Sequence, residues 1–264
     1  MSSGIIPLDH ARRAYDVFAG FYDDFTSDHD YDQWVGKVET LVRELGAPGH
    51  SVLDVACGTG SSFAPLLARG YSITAVDISP AMVDAARLKA GEGIRLHVED
   101  MRALPALGRF DVVWCLGEAV NYLHSERELL AAFGGARRNL RAGGVLVFDT
   151  VSLGTFRSVF SSLSVSPSDD RVLVLDGRGS PELDEGGSAD VCIERLVRED
   201  ARWRRERCLH HHRHHTGESL RGALERSGFE LAAVRGATPG EPLDSAADEL
   251  RHTKLVFAAR LGRK

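Results

Sequence analysis

Short apolar segments alternate with helical patterns between residue 51 and about residue 150. Between the apolar segments, apolar side chains recur at helical spacing in residues 61–69, 80–90 and 125–141. The alternation predicts βαβ units and therefore a parallel sheet with helices on both faces. The segments predicted as buried strands are all short, apolar and bounded by glycine, proline or acidic residues: SVLDVA, YSITAVD, IRLHVED, FDVVWCL and GVLVFDT.

Capping signals mark two ends of these helices. Ser79 followed by Pro80 predicts an N-cap with proline at the first helical position. The pair Gly143–Gly144 predicts the end of the third helix. Ligands of such sheets bind beyond the carboxyl ends of the strands, so the residues that follow each strand are the candidates for a binding site.

The segments on either side of this core follow different patterns. Residues 8–46 predict helices that open with many aromatic side chains, and residues 155–215 predict a small antiparallel sheet with one wet face, interrupted by an acidic loop at 177–190. The strands of that sheet are RVLVLD, DVCIERLV and ARWRRERCLHHHRHH. Residues 216–228 then predict a helix, and FELAAVRG and TKLVFAARL predict two final strands.

These patterns define the expected architecture. The fold class is α/β: a Rossmann-like, seven-stranded and mostly parallel sheet with an N-terminal helical lid and a small antiparallel β insertion. The predicted domains are residues 1–50 (lid), 51–154 (core), 155–215 (insertion over the acceptor pocket) and 216–264 (completion of the core sheet).

Composition and charge narrow the functional classes. The 264 residues are 43% hydrophobic and 27% charged, which is typical of a globular chain. A net charge of −6 argues against a nucleic-acid partner. No apolar run approaches the roughly 20 residues that span a bilayer, and the N-terminus has no signal-peptide core, so we expect no membrane partner and a cytoplasmic location. The four cysteines show no CxxC spacing and predict neither a metal site nor disulfides.

A glycine-rich turn, D-V-A-C-G-T-G at residues 54–60, joins a predicted strand to a predicted helix. Such a turn indicates a nucleotide-like ligand at the helix N-terminus. Phe63 occupies the position where a dinucleotide-binding turn has its third glycine, and no P-loop GK[ST] is present. Asp54 would repel a pyrophosphate but suits the α-ammonium group of S-adenosylmethionine (SAM). The turn therefore favours SAM over a dinucleotide.

Acidic residues also follow the next two strands. Asp77 ends the second strand, where an acid accepts hydrogen bonds from both ribose hydroxyls, and Ile78 is placed to cover one face of the adenine. After the third strand, Asp100 is a candidate acceptor for the adenine amino group, and Met101 offers an apolar side chain to the ring. The glycine turn, Asp77 and Asp100 follow the first three strands in the order expected of a SAM site, which strengthens the SAM hypothesis.

At this point the sequence resembles the small bacterial class I SAM-dependent methyltransferases of small-molecule, natural-product type. The resemblance rests on an N-terminal YDxxAxxYD-like element at residues 15–23 followed by Tyr31 and Trp34, and on VLDVACGTG, VDIS, EDMR, WCLGEAVNYL and RAGGVLVFDT. It implies that Tyr22 closes over the methionine end of SAM and that the product is S-adenosylhomocysteine. The predicted cofactor-binding residues are Tyr15, Tyr22, Asp54, Ala56, Gly58, Gly60, Asp77, Ile78, Met82, Asp100, Met101 and Leu116.

Two segments are expected to line the acceptor pocket. One follows the fourth strand, and the other is the histidine run at residues 210–215. If the run is a strand, His211, Arg213 and His215 share one face. We expect His211 or His215 to face the pocket as a base or anchor, against the alternatives of a solvated edge strand and of a metal site that Arg213 disfavours. The predicted substrate contacts are Trp34, Glu118, Asn121, Tyr122 and Arg213.

The predicted function is transfer of a methyl group from SAM to nitrogen or oxygen of a small metabolite, in secondary metabolism. A nucleic-acid methyltransferase lacks support because LGEAVNYL stands where amino-directed DNA enzymes carry [DNS]PP[YFW]. A protein methyltransferase and a SAM-binding module without methyl transfer stay open, whereas Asp54 and Phe63 argue against an NAD-dependent oxidoreductase. The sequence does not indicate the oligomeric state.

Overall fold

A computed structural model of the chain describes residues 10–47, 49–91 and 93–262. The α-helices are α1 (His10–Phe18), α2 (Tyr22–Phe25), α3 (Tyr31–Glu44), α4 (Ala64–Ala68), α5 (Pro80–Ala90), α6 (Glu126–Asn139), α7 (Leu153–Arg157) and α8 (Gly217–Arg226). The strands are β1 (Ser51–Val55), β2 (Ser72–Asp77), β3 (Arg95–Val98), β4 (Phe110–Cys115), β5 (Leu140–Val151), β6 (Leu163–Pro167), β7 (Arg171–Gly177), β8 (Ser188–Glu199), β9 (Arg202–Arg213), β10 (Phe229–Ala237) and β11 (Lys254–Leu261). Short 3₁₀ turns cover Met101–Ala103, Ala119–Tyr122 and Val159–Ser161.

The larger sheet has seven strands in the order β10-β11-β5-β4-β1-β2-β3. The pairs among β1–β5 are parallel, and β11 runs antiparallel to both β5 and β10. Consecutive residues of the central strands are buried in two separate clusters: Val113 and Phe148 pack with α6 and α8, while Val112 and Val147 pack with α3. Both faces are therefore covered, which explains the unbroken apolar runs. The predicted α/β fold class is confirmed.

The smaller sheet has four antiparallel strands in the order β6-β7-β8-β9. Its inner face packs against the lid, because Phe18 and Phe21 lie in one buried cluster with Val191, Ile193 and Cys208. Arg195 of β8 also pairs with Asp24 of α2 at 2.8 Å. The lid and the smaller sheet thus form one layer over the carboxyl edge of the larger sheet.

Several predicted boundaries differ from the structure. Strand β6 was not predicted; it is an edge strand whose residues are all exposed, so the sequence carries no burial pattern there. Helix α6 ends at Asn139, and Gly143–Gly144 belongs to β5 rather than ending the helix. The register between β4 and β5 shifts between Phe110 and Val112, which accommodates these residues as a bulge. The predicted Ser79 cap is confirmed, since its hydroxyl accepts from the Met82 N–H.

The sequence also led to predictions about the start of the lid, membrane-spanning helices, the cysteines and metal sites. The predicted lid starts at residue 1, and its first nine residues lie outside the described residues. Within the described ranges, no helix combines the length and apolarity needed to cross a bilayer. The four cysteines are buried thiols, and no cluster of three metal-ligating side chains occurs in the part of the chain that the structure describes.

Two adjacent glycines of α6 give a matched test of this packing. A β-carbon on Gly135 would lie 2.9 Å from the Leu104 β-carbon, whereas one on Gly134 would meet nothing within 4 Å. Gly134→Ala should therefore stabilise the fold by about 0.5–1 kcal/mol through helix propensity. Gly135→Ala should destabilise it by about 1–3 kcal/mol through overpacking. Urea unfolding measures both values, and equal effects of the two substitutions would contradict the described contact.

Candidate active site

A cavity of about 820 Å³ lies at the carboxyl ends of β1, β2 and β4. Helices α1–α3 cover it together with the inner face of the smaller sheet. Its lining includes most of the predicted cofactor and substrate residues, namely Tyr15, Tyr22, Trp34, Ala56, Gly58, Asp77, Ile78, Asp100, Met101, Leu116, Glu118 and Tyr122. The fold therefore brings most of the residues predicted from the sequence into one cavity.

Two glycines of the turn, Gly58 and Gly60, are required for different structural reasons. Gly58 has φ +55°, and a β-carbon there would meet nothing within 4 Å, so its bare backbone borders the cavity. Gly60 has φ +86°, and a β-carbon there would lie 2.5 Å from the Phe63 ring. Gly60 is thus needed for packing against Phe63, while Gly58 leaves space for a ligand. Ala56 adopts φ +60°, a conformation that is strained for a residue with a side chain.

Asp54 lies beneath this turn with 1% of its surface exposed. One carboxylate oxygen, Oδ2, accepts a hydrogen bond of 2.7 Å from the Ser62 hydroxyl. The other, Oδ1, is buried and has no partner. Burial raises the pKa of Asp54 to about 7, opposed by the Ser62 hydrogen bond and assisted by the nearby charge of Asp77. An unpaired buried oxygen of this kind favours a bound donor, such as an ammonium group or an ordered water.

Asp77 is held at the end of β2 by backbone donors. The N–H groups of Gly58 and Ser79 each donate to its carboxylate at 2.9 Å. Burial raises the pKa of Asp77 to about 6, although these N–H bonds oppose the rise. The carboxylate is therefore fixed in orientation beside the glycine turn, where Ile78 also borders the cavity.

The part of the cavity lined by the glycine turn, Asp77 and Met101 is named here the cofactor half. Asp100 caps the turn that carries Met101. Its carboxylate accepts from the Arg102 backbone N–H at 2.9 Å and pairs with the Arg102 guanidinium at 2.7 Å. Arg102 also contacts Glu128 of α6 at 3.1 Å. The turn is thereby tied to α6, and Asp100 and Met101 keep a defined position at the cavity wall.

Four features in and beneath this half of the cavity fit SAM. Asp54 offers an unpaired buried oxygen for a cation, and Gly58 leaves open space along its backbone. Asp77 carries two oxygens for hydroxyl donors, while Ile78 and Met101 supply apolar surface for a ring. Glu99, Asp100 and Asp77 also make the site unsuitable for phosphate groups.

The lid is attached to the cofactor half by two aspartates. The Ser79 hydroxyl donates to Asp16 of α1 at 2.6 Å. Asp23 of α2 accepts from the Thr59 hydroxyl and from the Lys89 ammonium, both at 2.7 Å. Sequence reasoning missed these contacts, although both aspartates belong to the N-terminal motif.

The part of the cavity lined by Glu118, Tyr122 and His210 is named here the acceptor half, and phenolic hydroxyl groups connect it to the lid. Tyr15 donates to the Tyr122 hydroxyl at 3.0 Å, and Tyr122 lies 2.7 Å from Nδ1 of His210. The His210 Nε2 is 3.1 Å from the Cys208 sulfur. Burial lowers the pKa of His210 to about 3, so the imidazole is neutral at physiological pH. A neutral imidazole can accept from Tyr122 through Nδ1 while Nε2 carries the proton.

A cluster of one buried and two half-buried charged side chains follows β4. The Lys254 ammonium lies 2.7 Å from Glu118 and 3.4 Å from Asp149, and 5.8 Å from the centre of the Trp34 ring. Burial acts to raise the pKa of Glu118, but Lys254 outweighs it, so the pKa is lowered. Burial raises the pKa of Asp149. Glu118 adopts φ +69°, held by a 2.7 Å bond from its N–H to Asp149.

Sequence reasoning missed Lys254 and Asp149. Both side chains are brought together by the antiparallel pairing of β11 with β5, which is a long-range contact. The only local signal was the position of Asp149 near the end of an apolar strand. Glu118, by contrast, was found because it directly follows β4.

The histidine run differs from the prediction in its orientation. His210 and His212 line the cavity, whereas His211 and His215 do not. His211 instead contacts Asp190 through Nδ1 and lies 3.1 Å from Nε2 of His10. Strand β9 ends at Arg213, so the alternation stops before His215, which is buried. The face that points inward is therefore the one that the sequence did not favour.

Besides Asp54 and Gly60, which lie beneath and within the glycine turn, three further predicted residues lie outside the cavity lining. Asn121 is fully buried and joins two strand ends, donating to the Arg213 carbonyl at 2.8 Å and accepting from the Val151 N–H at 2.9 Å. The Arg213 guanidinium donates to the His124 carbonyl. Met82 is buried in the cluster that includes Phe18 of the lid. These contacts differ from the predicted cofactor and substrate contacts.

Comparison with known proteins identifies the family. A family model described as a methyltransferase domain matches residues 52–144. The putative methyltransferase YqeM of Bacillus subtilis is 31% identical over 174 residues, which cover 64% of this chain and 69% of that protein. A dTDP-3-amino-3,4,6-trideoxy-alpha-D-glucopyranose N,N-dimethyltransferase of Streptomyces venezuelae is 31% identical over 54% of this chain, and the match spans little more than half, 57%, of that relative.

Solved structures agree on the fold. A SAM-dependent methyltransferase from Clostridium acetobutylicum superposes with a TM-score of 0.79 at 22% identity, over 94% of this chain and 99% of that one. The sugar N-methyltransferase KedS8 from Streptoalloteichus superposes with a TM-score of 0.71 at 25% identity, over 100% and 98% of the two chains. With the matching sheet and glycine turn, these similarities establish that the chain belongs to the class I SAM-dependent methyltransferases, as its motifs predicted.

Proposed function

We propose that the protein transfers a methyl group from SAM to the amine nitrogen of a small molecule, in secondary metabolism. The observation that carries the choice of nitrogen is the Glu118 carboxylate, which lies in the acceptor half among aromatic side chains. A carboxylate and aromatic faces both favour a cationic or hydrogen-bonding amine. The N-methyltransferase relatives from Streptomyces venezuelae and Streptoalloteichus support the same choice.

Residue roles follow from the two halves of the cavity. Asp54 would receive the α-ammonium group of SAM, Asp77 the ribose hydroxyls, and Asp100 with Met101 the adenine. Glu118 would accept an N–H bond from the amine, and Tyr15, Tyr22 and Trp34 would surround it. His212 stays neutral above about pH 4 because burial lowers its pKa, so it adds no competing positive charge at neutral pH.

The bound cofactor supplies a methyl carbon that its sulfonium has already activated. With SAM bound, the amine nitrogen would gain an N–C bond as the C–S bond breaks to leave S-adenosylhomocysteine, and the methylated nitrogen would lose one proton to water. Alignment of the lone pair behind the methyl carbon is the contribution expected of the protein. Glu118 and the tyrosine hydroxyls would provide it by fixing the amine.

The cofactor assignment is tested by Asp54→Asn. Loss of a charge-assisted bond of about 1.5–3 kcal/mol should weaken SAM binding roughly 10- to 100-fold. The thermal midpoint at pH 8 should stay equal or rise, because the variant no longer buries a charge. Titration calorimetry and thermal melting measure the two effects, with Asp84→Asn, an exposed acid of α5, as the control. Unchanged SAM affinity in Asp54→Asn would contradict the assignment.

The choice of nitrogen is tested by Glu118→Gln and by paired acceptors. The variant should raise the KM for an amine about tenfold, since it removes a charged partner, while the Kd for SAM changes less than about twofold. Glu225→Gln, at an exposed position of α8 away from the cavity, is the control and should change neither value. In a panel of polar and apolar amines with their alcohol counterparts, release of S-adenosylhomocysteine should require the amine. Faster turnover of the alcohols would overturn the proposal.

A further inference from the structure

One wall of the acceptor half is apolar. It is formed by Phe160, Leu175, Val191 and Ile193, named here the sheet wall, which border the cavity from the smaller sheet and its preceding turn. Val191 is 2% exposed, and Phe160 and Ile193 are each 7% exposed. Phe18 and Phe25 of the lid border the same cavity. An apolar wall of this extent is suited to an apolar part of a ligand.

The charged lining does not provide for a phosphate. Of the described cations that border the cavity, Arg102 is held by Asp100 and Glu128. Lys254 is held by Glu118 and Asp149. Phosphate groups are recognised by free arginine and lysine side chains or by helix N-termini. Lys37 is the remaining cation of the described lining, in which carboxylates outnumber the cations by six to three: Asp28, Asp30, Asp77, Glu99, Asp100 and Glu118.

We infer that the acceptor is an amine on an apolar body that carries no phosphate, in contrast to the nucleotide-linked amino sugars named for several relatives. The inference rests on the proposed N-methylation and adds the substrate class. In this arrangement the amine meets Glu118, and the apolar body lies against the sheet wall. A sugar linked to a nucleoside diphosphate would instead bring two negative charges into a cavity whose carboxylates repel them.

Binding to the protein saturated with S-adenosylhomocysteine tests the substrate class without turnover. The two probes are 3-phenylpropylamine and dTDP, and titration calorimetry measures each. We expect saturable binding of the amine and at least tenfold weaker binding of dTDP. Tighter binding of dTDP, or equal binding of both probes, would overturn the inference.

Turnover separates this inference from the proposed function. A dTDP-linked amino sugar and 3-phenylpropylamine both offer an amine, so methylation of either supports N-methyltransfer. We expect the apolar amine to have a kcat/KM at least about tenfold higher, in keeping with one poorly matched charged group. Preference for the nucleotide-linked sugar would contradict the substrate class but leave N-methyltransfer intact. Turnover of neither, with matched alcohols methylated instead, would contradict the proposed function.

A pair of isosteric variants tests the sheet wall. Val191→Thr places a hydroxyl on the inner face, and Val174→Thr makes the same change on the outer face of β7, next to Leu175. Val191→Thr should raise the KM for 3-phenylpropylamine about fivefold, because burying an unpaired hydroxyl against an apolar group is unfavourable. Val174→Thr should leave it unchanged, and both should keep the wild-type Kd for SAM. Equal KM values in the two variants would contradict contact with the wall.

Discussion

Asp54 is buried beneath the glycine turn with one carboxylate oxygen unpaired, and Asp77 lies near enough to raise its pKa further. The burial follows from the fold, since β1 is an interior strand between β4 and β2 and its end is covered by the turn and the lid. The unfolded chain gives up the Asp54 proton near pH 4, whereas the folded chain keeps it until about pH 7. Stability therefore falls as pH rises through this interval. A bound ammonium would compensate the buried charge, which couples stability to the cofactor.

The lid connects this interaction to the acceptor half. Tyr15 and Asp16 are adjacent on α1; the tyrosine reaches Tyr122 in the acceptor half and the aspartate reaches Ser79 beside Asp77. Asp23 makes the equivalent connection from α2 to Thr59 in the glycine turn. The lid thus contacts the acceptor half and the loops of the cofactor half at the same time. The N-terminal motif at residues 15–23 therefore has a structural role, since its side chains connect the lid to both halves of the cavity.

Much of the cofactor half could be predicted because its signals are local. Asp54, Gly58 and Asp77 lie at strand ends, and an apolar run bounded by acids and glycines marks such an end without any knowledge of the partner strands. The acceptor half depends on long-range pairing. Lys254 meets Glu118 only through the β5–β11 register, and the inward face of β9 is set by its pairing with β8. A run of six residues with five histidines carries no apolar alternation, so the sequence could not show that His210 and His212 face inward.

The central claim, that a buried carboxylate recognises the cationic end of SAM, is tested most directly by the pH dependence of SAM affinity for the wild-type protein. Ser62 and Asp77 are the groups that face Asp54, and Asp77 itself has a pKa of about 6. Titration calorimetry between pH 5.5 and 7.5 should show affinity rising by roughly tenfold or more, as ionisation of Asp54 and Asp77 completes. S-adenosylhomocysteine, which keeps the ammonium group, should show the same rise. An affinity that stays constant across this range would contradict the account.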